Sequence, residues 1–331
     1  MFLGYIHSFR ALAILFIVAG HSIDFFDWSA DDSDVERWLR ILISNGSVLF
    51  VFIAGYLFQH LASKYQHKKY FVGKLKNVLI PYFFVSIPAI YIFVFVLTRE
   101  TVWQGFYDNP QWLQIVYFYL TGLHLAPLWF IPMITLFYIV APLLIWGDKK
   151  KNFYWILPVA ILVSCFVSRG FPQQSFVHFF SVYLLGMYCS HFKSRLNGFF
   201  SRTDFLFVLA IIVMGFACWE YYLMQGTMTY VNYLQKICMS VLFLGLLIRL
   251  GSKIDSKLIR TIADTSFGVF FIHSYVLTTS KLLFEKLSDE KIAGNLLFYP
   301  IVSIAILMTC VVIIFIIQKL MGNKSRYLVG S

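Results

Sequence analysis

The chain has 331 residues, of which 60% are hydrophobic and only 13% are charged, and its mean hydropathy is +0.75. This composition excludes a water-soluble protein and predicts an integral membrane protein with one domain, residues 1–331, and no separate soluble domain. The net charge of +11 does not indicate a nucleic-acid partner, because Lys and Arg lie in short clusters between apolar segments rather than on a continuous face.

Apolar segments of about 20 residues, enough to cross a hydrocarbon core of about 30 Å, recur along the whole chain. They predict an all-α fold with about ten transmembrane helices. The predicted helices cover residues 5–26, 41–62, 75–97, 125–146, 153–168, 175–192, 204–223, 231–250, 265–283 and 295–318.

The Lys and Arg residues of the connections are divided unequally between the two sides of the membrane. Eighteen lie on one side, in the connections 63–76, 149–151, 193–202, 249–260 and 319–326, and seven lie on the other side. The positive-inside rule therefore predicts that both termini are cytoplasmic. The first apolar segment has no Lys or Arg before Arg10 and no evident small-residue cleavage site, so we expect it to remain as an anchor.

The first predicted helix carries a guanidinium and an imidazole within an otherwise apolar segment. Ten residues separate Arg10 from His21, which on a helix places both side chains within about 20° of each other and about 16 Å apart along the axis. Because a central Arg costs about 3 kcal/mol in a bilayer, the pair indicates a function. Two alternatives stay open: Arg10 extends to lipid phosphates, or His21 is a buried imidazole bonded to a backbone carbonyl.

The first outer connection is acidic and begins close to His21. Asp24 follows three residues later, where its carboxylate is suited either to hold the Nδ1 proton of His21 or to remain a charge of the outer connection. Ser33–Glu36 has the S-x-x-E form of a capping box, so the second helix is expected to begin outside the membrane. Four more carboxylates complete this connection, at Asp27, Asp31, Asp32 and Asp34.

Residues 98–124 form the longest connection, on the outer side. Asn109-Pro110 predicts a helix start and is followed by the aromatic run Trp112–Tyr119. This run is too short to span the membrane comfortably, so it predicts an interfacial or re-entrant helix. Such a helix lies either in the headgroup layer or as a lid over a substrate cleft.

Three further side chains are candidates for substrate binding, each with a structural alternative. Trp129 suits stacking on a sugar or an interfacial aromatic belt, Tyr138 suits proton donation or packing, and His273 suits a polar site or a buried core. On a regular helix Trp129 and Tyr138 face different directions, unless Pro132 kinks the helix.

Other buried polar residues are interpreted as structural. Glu220 and Lys236 lie in the outer halves of consecutive helices and predict an intramembrane ion pair. The five cysteines lie within predicted spans and form no CxxC pair or Cys/His cluster, so neither a metal site nor a permanently bound cofactor is predicted.

Four motifs in this order resemble the acyltransferase-3 family of membrane acyltransferases, which includes bacterial polysaccharide O-acetyltransferases. Arg10 and His21 match the R-x10-H signature of its first helix. Residues 50–57 (F-V-F-I-A-G-Y-L) are similar to its second motif, with Ala54 where Ser is usual. The other two motifs are residues 128–131 (L-W-F-I) followed by Phe137, Tyr138 and Pro142, and residues 266–273 (S-F-G-V-F-F-I-H) with Phe270 in place of Tyr. The acidic residue that many members carry after L-W is absent, so no carboxylate role is transferred there.

The resemblance implies transfer of an acyl group, usually acetyl, from cytoplasmic acyl-CoA to a sugar hydroxyl at the outer face of a bacterial cytoplasmic membrane. The acceptor is expected to be a cell-surface polysaccharide, an exopolysaccharide or a lipid-linked precursor, with proteins of polysaccharide synthesis as partners. We assign donor binding to Arg10 and general-base catalysis to His21. Reversed roles and an acyl-histidine intermediate remain alternatives.

A transporter or polysaccharide exporter without acyl-transfer activity is the competing hypothesis. Ten spans with buried Arg, His, Lys and Glu also describe a proton-coupled carrier. Incubation with labelled acyl-CoA separates the two classes, because only the acyltransferase transfers label to a glycan.

Overall fold

The computed structural model describes residues 3–29, 33–223, 229–254, 256–288 and 290–330, and within these ranges the regular structure is helical. Asp31 and Asp32 of the acidic outer connection lie outside the described residues. The helices are α1 (Gly4–Ser22), α2 (Ser33–Ile43), α3 (Ser47–His60), α4 (His67–Lys74), α5 (Ile80–Tyr91), α6 (Gln111–Thr121), α7 (Phe130–Asp148), α8 (Ile156–Phe166), α9 (Pro172–His191), α10 (Lys193–Phe200), α11 (Thr203–Leu223), α12 (Tyr230–Leu250), α13 (Lys257–Ser288), α14 (Phe298–Met321) and α15 (Ser325–Val329).

The prediction of an all-α membrane protein is confirmed. Helices occupy each of the ten predicted ranges, and eight helical segments of the described chain are long and apolar enough to cross a membrane. The other two are the shorter segment Phe153–Phe166 and helix α9, whose 20 residues include several Ser, Gln and His side chains.

The predicted helix over 41–62 is wrong as one element, because the chain breaks into α2 and α3 at Asn45. Asn45 has φ 63°, a left-handed conformation that ends α2 and redirects the chain. The Asn45-Gly46 pair is a turn signal in the sequence. The S-x-x-E pattern at Ser33 coincides with the start of the separate helix α2, and the short helix predicted after Pro110 is confirmed as α6.

Helix α1 lies at the centre of the bundle and packs against α3, α12, α13 and α14. Its apolar side chains are largely buried, and Phe9, Ala13 and Ile14 have no exposed surface. Helix α1 is therefore surrounded by other helices along much of its length.

Helices α3 and α9 approach each other through two glycines. A Cβ atom on Gly55 would lie 2.0 Å from the carbonyl oxygen of Tyr183, and one on Gly186 would lie 2.1 Å from the carbonyl oxygen of Phe52. Such contacts between backbones require small residues, as is common between membrane helices. Gly55 of the second motif thus has a packing role.

We expect Gly55→Ala to destabilise the protein, because the added methyl group forces α3 and α9 apart. Overpacking typically costs about 1–3 kcal/mol, which corresponds to a loss of several degrees in the melting temperature of the detergent-solubilised protein. Gly215→Ala on α11 is the matched control, because no atom lies within 4 Å of its added Cβ. Equal melting temperatures for the two variants would contradict the packing role.

Candidate active site

Arg10 and Ser266 join the first and last motifs. The guanidinium of Arg10 donates from Nη2 to Ser266 Oγ over 3.0 Å, and Ser266 Oγ donates to the carbonyl of Ala263 over 2.8 Å. Arg10 therefore faces helix α13 at a defined position. This placement argues against a side chain that only extends to lipid phosphates.

His21 faces the same neighbouring helix further along α1. Its ring lies 5.3 Å, centre to centre, from the ring of His273. The fully buried His273 places Nδ1 within 3.0 Å of the carbonyl of Val269 and 2.9 Å of that of Phe270. Carbonyls only accept hydrogen bonds, so Nδ1 carries the proton and Nε2 is an acceptor. Nε2 has no hydrogen bond within the described part of the chain.

A cavity of about 670 Å³, called the inner cavity here, contains Arg10 in its wall. The connection between α3 and α4 contributes Lys64, and α4 itself contributes Lys69 and Lys74. No carboxylate lies among the described residues of this lining. Apolar side chains complete the wall, at Phe50, Ile53, Ala54, Leu57, Phe130 and Ile134. The inner cavity thus combines a positive rim with an apolar wall, and its volume is in the usual range for ligand sites, about 300–1,000 Å³.

Tyr138 belongs to the inner cavity, where it contacts a cation. The ammonium of Lys74 lies 4.6 Å from the centre of the Tyr138 ring and 5.4 Å from that of Tyr70. Cation–π contacts of this kind hold a lysine in place while leaving its charge available. Lys74 is a site residue that we did not predict individually, although the basic cluster 64–76 was evident in the sequence.

A second cavity of about 260 Å³, called the outer cavity here, contains His21, Asp24 and Trp129 in its wall. Arg40 of α2 and Arg169 of the α8–α9 connection add positive charge to the same lining. At about 260 Å³ the cavity lies just below the usual range for ligand sites, about 300–1,000 Å³, and suits a group on the scale of one sugar ring.

Of the two roles left open for Asp24, the hydrogen bond to His21 is not formed and the charge of the outer connection is what the structure shows. Asp24 Oδ1 instead accepts a 2.7 Å bond from Arg40 Nη2, and Arg40 also lies 2.7 Å from Glu36. Because α2 is a separate helix that folds over the end of α1, it brings a guanidinium close enough to bind the carboxylate. Asp24 remains a lining residue of the outer cavity.

Trp129 is fixed between an aromatic ring and a guanidinium. Its ring stacks on Phe179 at 5.7 Å with an angle of 20°, and the guanidinium carbon of Arg169 lies 5.1 Å from its centre. Burial lowers the pKa of Arg169 to about 10, so this side chain is cationic at neutral pH. Arg169 belongs to none of the four motifs, and a single Arg in an outer connection is common, so nothing in the sequence is a reason to select it.

Trp129 and Tyr138 face different cavities, as their spacing predicts. Trp129 precedes α7, and Pro132 lies within its first turn, where a missing N–H costs no hydrogen bond. The predicted helix start at residue 125 is therefore wrong, because residues 125–129 form turns before Phe130.

Three phenylalanine rings, called the aromatic partition here, separate the cavities. Phe130 lines both cavities, Phe50 lines the inner one and Phe270 lines the outer one. The Phe270 ring lies 5.3 Å from that of Phe130 and 6.4 Å from that of Phe50. Arg10 and His21 therefore occupy two compartments that meet at this partition, while His273 lies behind His21 and lines neither compartment.

Lys236 and Glu220 interact electrostatically, but the predicted direct ion pair between them is not formed. Lys236 Nζ donates to the carbonyls of Ile41 and Leu42 over 2.9 and 2.6 Å, at the end of α2, and Glu220 accepts a bond from Thr229. Unpaired carbonyls at a helix end attract a cation, so Lys236 caps α2. The expectation of a structural role for this lysine agrees with these contacts.

Comparison with known proteins places the chain in a family. A family model described as an acyltransferase domain matches residues 3–315. The chain belongs to the acyltransferase-3 family. It is thus a multi-pass membrane acyltransferase, and the resemblance of its four motifs is confirmed at the family level. No curated protein and no solved structure gives a significant match to the chain.

The motifs of this acyltransferase converge on the two cavities. Arg10 with Ser266 and His21 with His273 pair the first and last motifs, while Phe50 and Phe130 bring the second and third motifs to the partition. Residues distant in sequence thus line two adjoining cavities.

Proposed function

We propose that this acyltransferase transfers an acyl group, in the simplest case acetyl, from cytoplasmic acyl-CoA to a sugar hydroxyl on the outer side of a bacterial cytoplasmic membrane. The acceptor would be a cell-surface polysaccharide, an exopolysaccharide or its lipid-linked precursor. The observation that carries the proposal is that Arg10 and His21, on one face of α1, line two cavities that meet at the aromatic partition.

The inner cavity has the chemistry that an acyl-CoA donor needs. Its rim carries Arg10, Lys64, Lys69 and Lys74, and the positive-inside rule assigns the basic residues 63–76, which include the three lysines, to the cytoplasmic side. Guanidinium and ammonium groups bind phosphates through charge-assisted hydrogen bonds. The apolar wall beyond them suits the less polar arm of the donor, with the thioester directed toward Phe130.

The outer cavity has the chemistry that an acceptor hydroxyl needs. His21 takes the proton from the hydroxyl as its oxygen attacks the thioester carbon, a contribution of about 10²–10⁴-fold. When the resulting tetrahedral intermediate collapses, the carbon–sulfur bond breaks and the sulfur leaves with the proton from His21. The products are the sugar ester and free CoA, so atoms and charges balance.

His273 is suited to position His21 for this step. Its Nδ1 proton is bound by backbone carbonyls, which leaves Nε2 as an acceptor beside the His21 ring. A hydrogen-bond acceptor at this position favours the His21 tautomer whose N–H points toward His273. The other ring nitrogen of His21 then presents its lone pair to the cavity. Arg10, about three helical turns away, holds the donor and takes no part in the proton transfer.

Labelled acetyl-CoA tests the proposed function. Membranes that contain the protein and a bacterial glycan are incubated with donor labelled in the acetyl group, and the glycan is then isolated. We expect label in the glycan that mild alkali releases, because oxygen esters hydrolyse under these conditions. Membranes without the protein are the control, and an exporter without acyl-transfer activity would leave the glycan unlabelled.

A further inference from the structure

Arg169 lies where two compartments of the outer half of the molecule meet. It lines the outer cavity together with His21 and Trp129, and it lines a side pocket of about 20 Å³ together with His178 and Lys236. A pocket of that size holds about one water. Arg169 is thus a wall residue of the compartment where the acceptor hydroxyl would react.

The charges around these compartments are predominantly positive. The described lining of the outer cavity contains one carboxylate, Asp24, which accepts a hydrogen bond from Arg40. The described lining of the side pocket contains Arg169 and Lys236 but no carboxylate. A ligand with a negative group would therefore be attracted to this end of the outer cavity.

Local packing holds the α8–α9 connection in place. Trp129, stacked on Phe179, lies under the Arg169 guanidinium at 5.1 Å. Two residues before Arg169, the carbonyl of Val167 accepts a 2.6 Å hydrogen bond from His178 Nδ1. The planar donor set of a guanidinium matches the paired oxygens of a carboxylate or phosphate, and this packing fixes where the Arg169 guanidinium lies in the cavity wall.

We propose that Arg169 binds an anionic group of the acceptor and so makes this acyltransferase selective for acidic or phosphate-linked sugars. The proposal rests on the function proposed above and names the acceptor class of the same site. The anionic group is either the carboxylate of an acidic sugar or the diphosphate that links a sugar to a prenyl lipid. The outer cavity is small enough that such a group and the reacting hydroxyl belong to the same or neighbouring sugar units.

Direct binding tests the proposal without requiring catalysis. The detergent-solubilised protein is titrated calorimetrically with methyl glucoside, methyl glucuronide and a short-chain prenyl diphosphoglucose. We expect at least one anionic probe to bind about tenfold more tightly than methyl glucoside. The probe that shows this preference identifies whether the carboxylate or the diphosphate is the source of the anion.

The variant Arg169→Gln is expected to remove that preference and to leave the affinity for methyl glucoside within about twofold. Arg37→Gln is the matched control, because Arg37 also lies over an aromatic ring, Tyr221 at 4.6 Å, but lines neither compartment. Arg169→Lys retains the charge without the planar donor set, so we expect an intermediate preference.

Three results overturn the proposal: equal affinity of the unaltered protein for all probes, a preference that survives in Arg169→Gln, or an equal loss for charged and neutral probes in that variant. The last result would assign Arg169 a purely structural role. Acyl transfer is measured in parallel with the same probes. If no probe is acylated while the Arg169-dependent preference persists, the proposed transfer reaction fails and the anion site stands.

Discussion

Replacing His21 by alanine is expected to lower acyl transfer to the glycan by about 100- to 10,000-fold, the range for loss of a general base. The imidazole lines the outer cavity, and we expect no other described side chain there to replace it, since Asp24 is bound by Arg40. The measurement is the initial rate of transfer from labelled acetyl-CoA by the purified protein, per amount of protein. The abundance of each variant in the membrane is measured separately.

The control for this experiment is His7→Ala. His7 lies on the same helix, contacts Asp264 at 3.5 Å and lines neither cavity, so this variant should retain most of the activity. An His21→Ala protein that is abundant and transfers acetyl at the unaltered rate would exclude the catalytic assignment. The acyl-histidine alternative predicts a different result when no acceptor is added. Labelled acetyl-CoA would then leave label on the unaltered protein but not on His21→Ala.

Arg10→Lys is expected to raise the KM for acetyl-CoA by about tenfold to a hundredfold while changing kcat much less. Lysine keeps the positive charge but lacks the planar donor set, and hydrogen bonds to charged groups contribute about 1.5–3 kcal/mol. The contact with Ser266 Oγ is lost as well, which loosens the donor-binding group. The measurement is the dependence of initial rate on acetyl-CoA concentration at saturating acceptor.

Lys68→Gln provides a matched control on the same side of the membrane. Lys68 belongs to the same basic cluster but does not line the inner cavity, so its neutralisation should change the KM by less than about twofold. If Arg10→Lys lowers kcat and leaves the KM unchanged, Arg10 acts on the reacting carbonyl, and the reversed assignment of roles applies.

Separate compartments for donor and acceptor have a physical advantage. A thioester exposed to water near an imidazole base can be hydrolysed, and excluding water from the reacting atoms suppresses this side reaction. The aromatic partition at Phe130 supplies apolar surface at the point where the two substrates would meet. In the proposed reaction, a donor held at Arg10 and an acceptor held at His21 would meet at this partition, although about 16 Å of helix separates the two side chains.

The sequence predicted well those features of the fold that depend on one segment of the chain alone. The apolar segments predicted the ten helical ranges, and Pro110 predicted the start of α6. The break between α2 and α3 has a local signal in Asn45-Gly46. The apolar pattern continues on both sides of this pair, however, and favours a single helix.

Contacts between distant segments were predicted less reliably. Lys236 was expected to bind Glu220, the nearest opposite charge in consecutive helices, but it binds the carbonyls at the end of α2. For Asp24 the sequence left open a bond to His21 or a charge of the outer connection, and the structure pairs it with Arg40 from another helix. In both cases the actual partner lies on α2, so it depends on where α2 packs. The sequence around Lys236 or Asp24 does not determine that packing.

The sequence alone determined that this chain is a helical membrane protein, that Arg10 and His21 share a helix face, and that four motifs resemble one acyltransferase family. These conclusions depend on composition, on the helical repeat and on residue order, which are properties of the chain itself. Only the tertiary structure decided that the two side chains line separate cavities, that the ring of His273 lies against that of His21, and that Arg169 lines the outer cavity. Side chains more than a hundred residues apart become neighbours through helix packing, and that packing is set by the whole bundle.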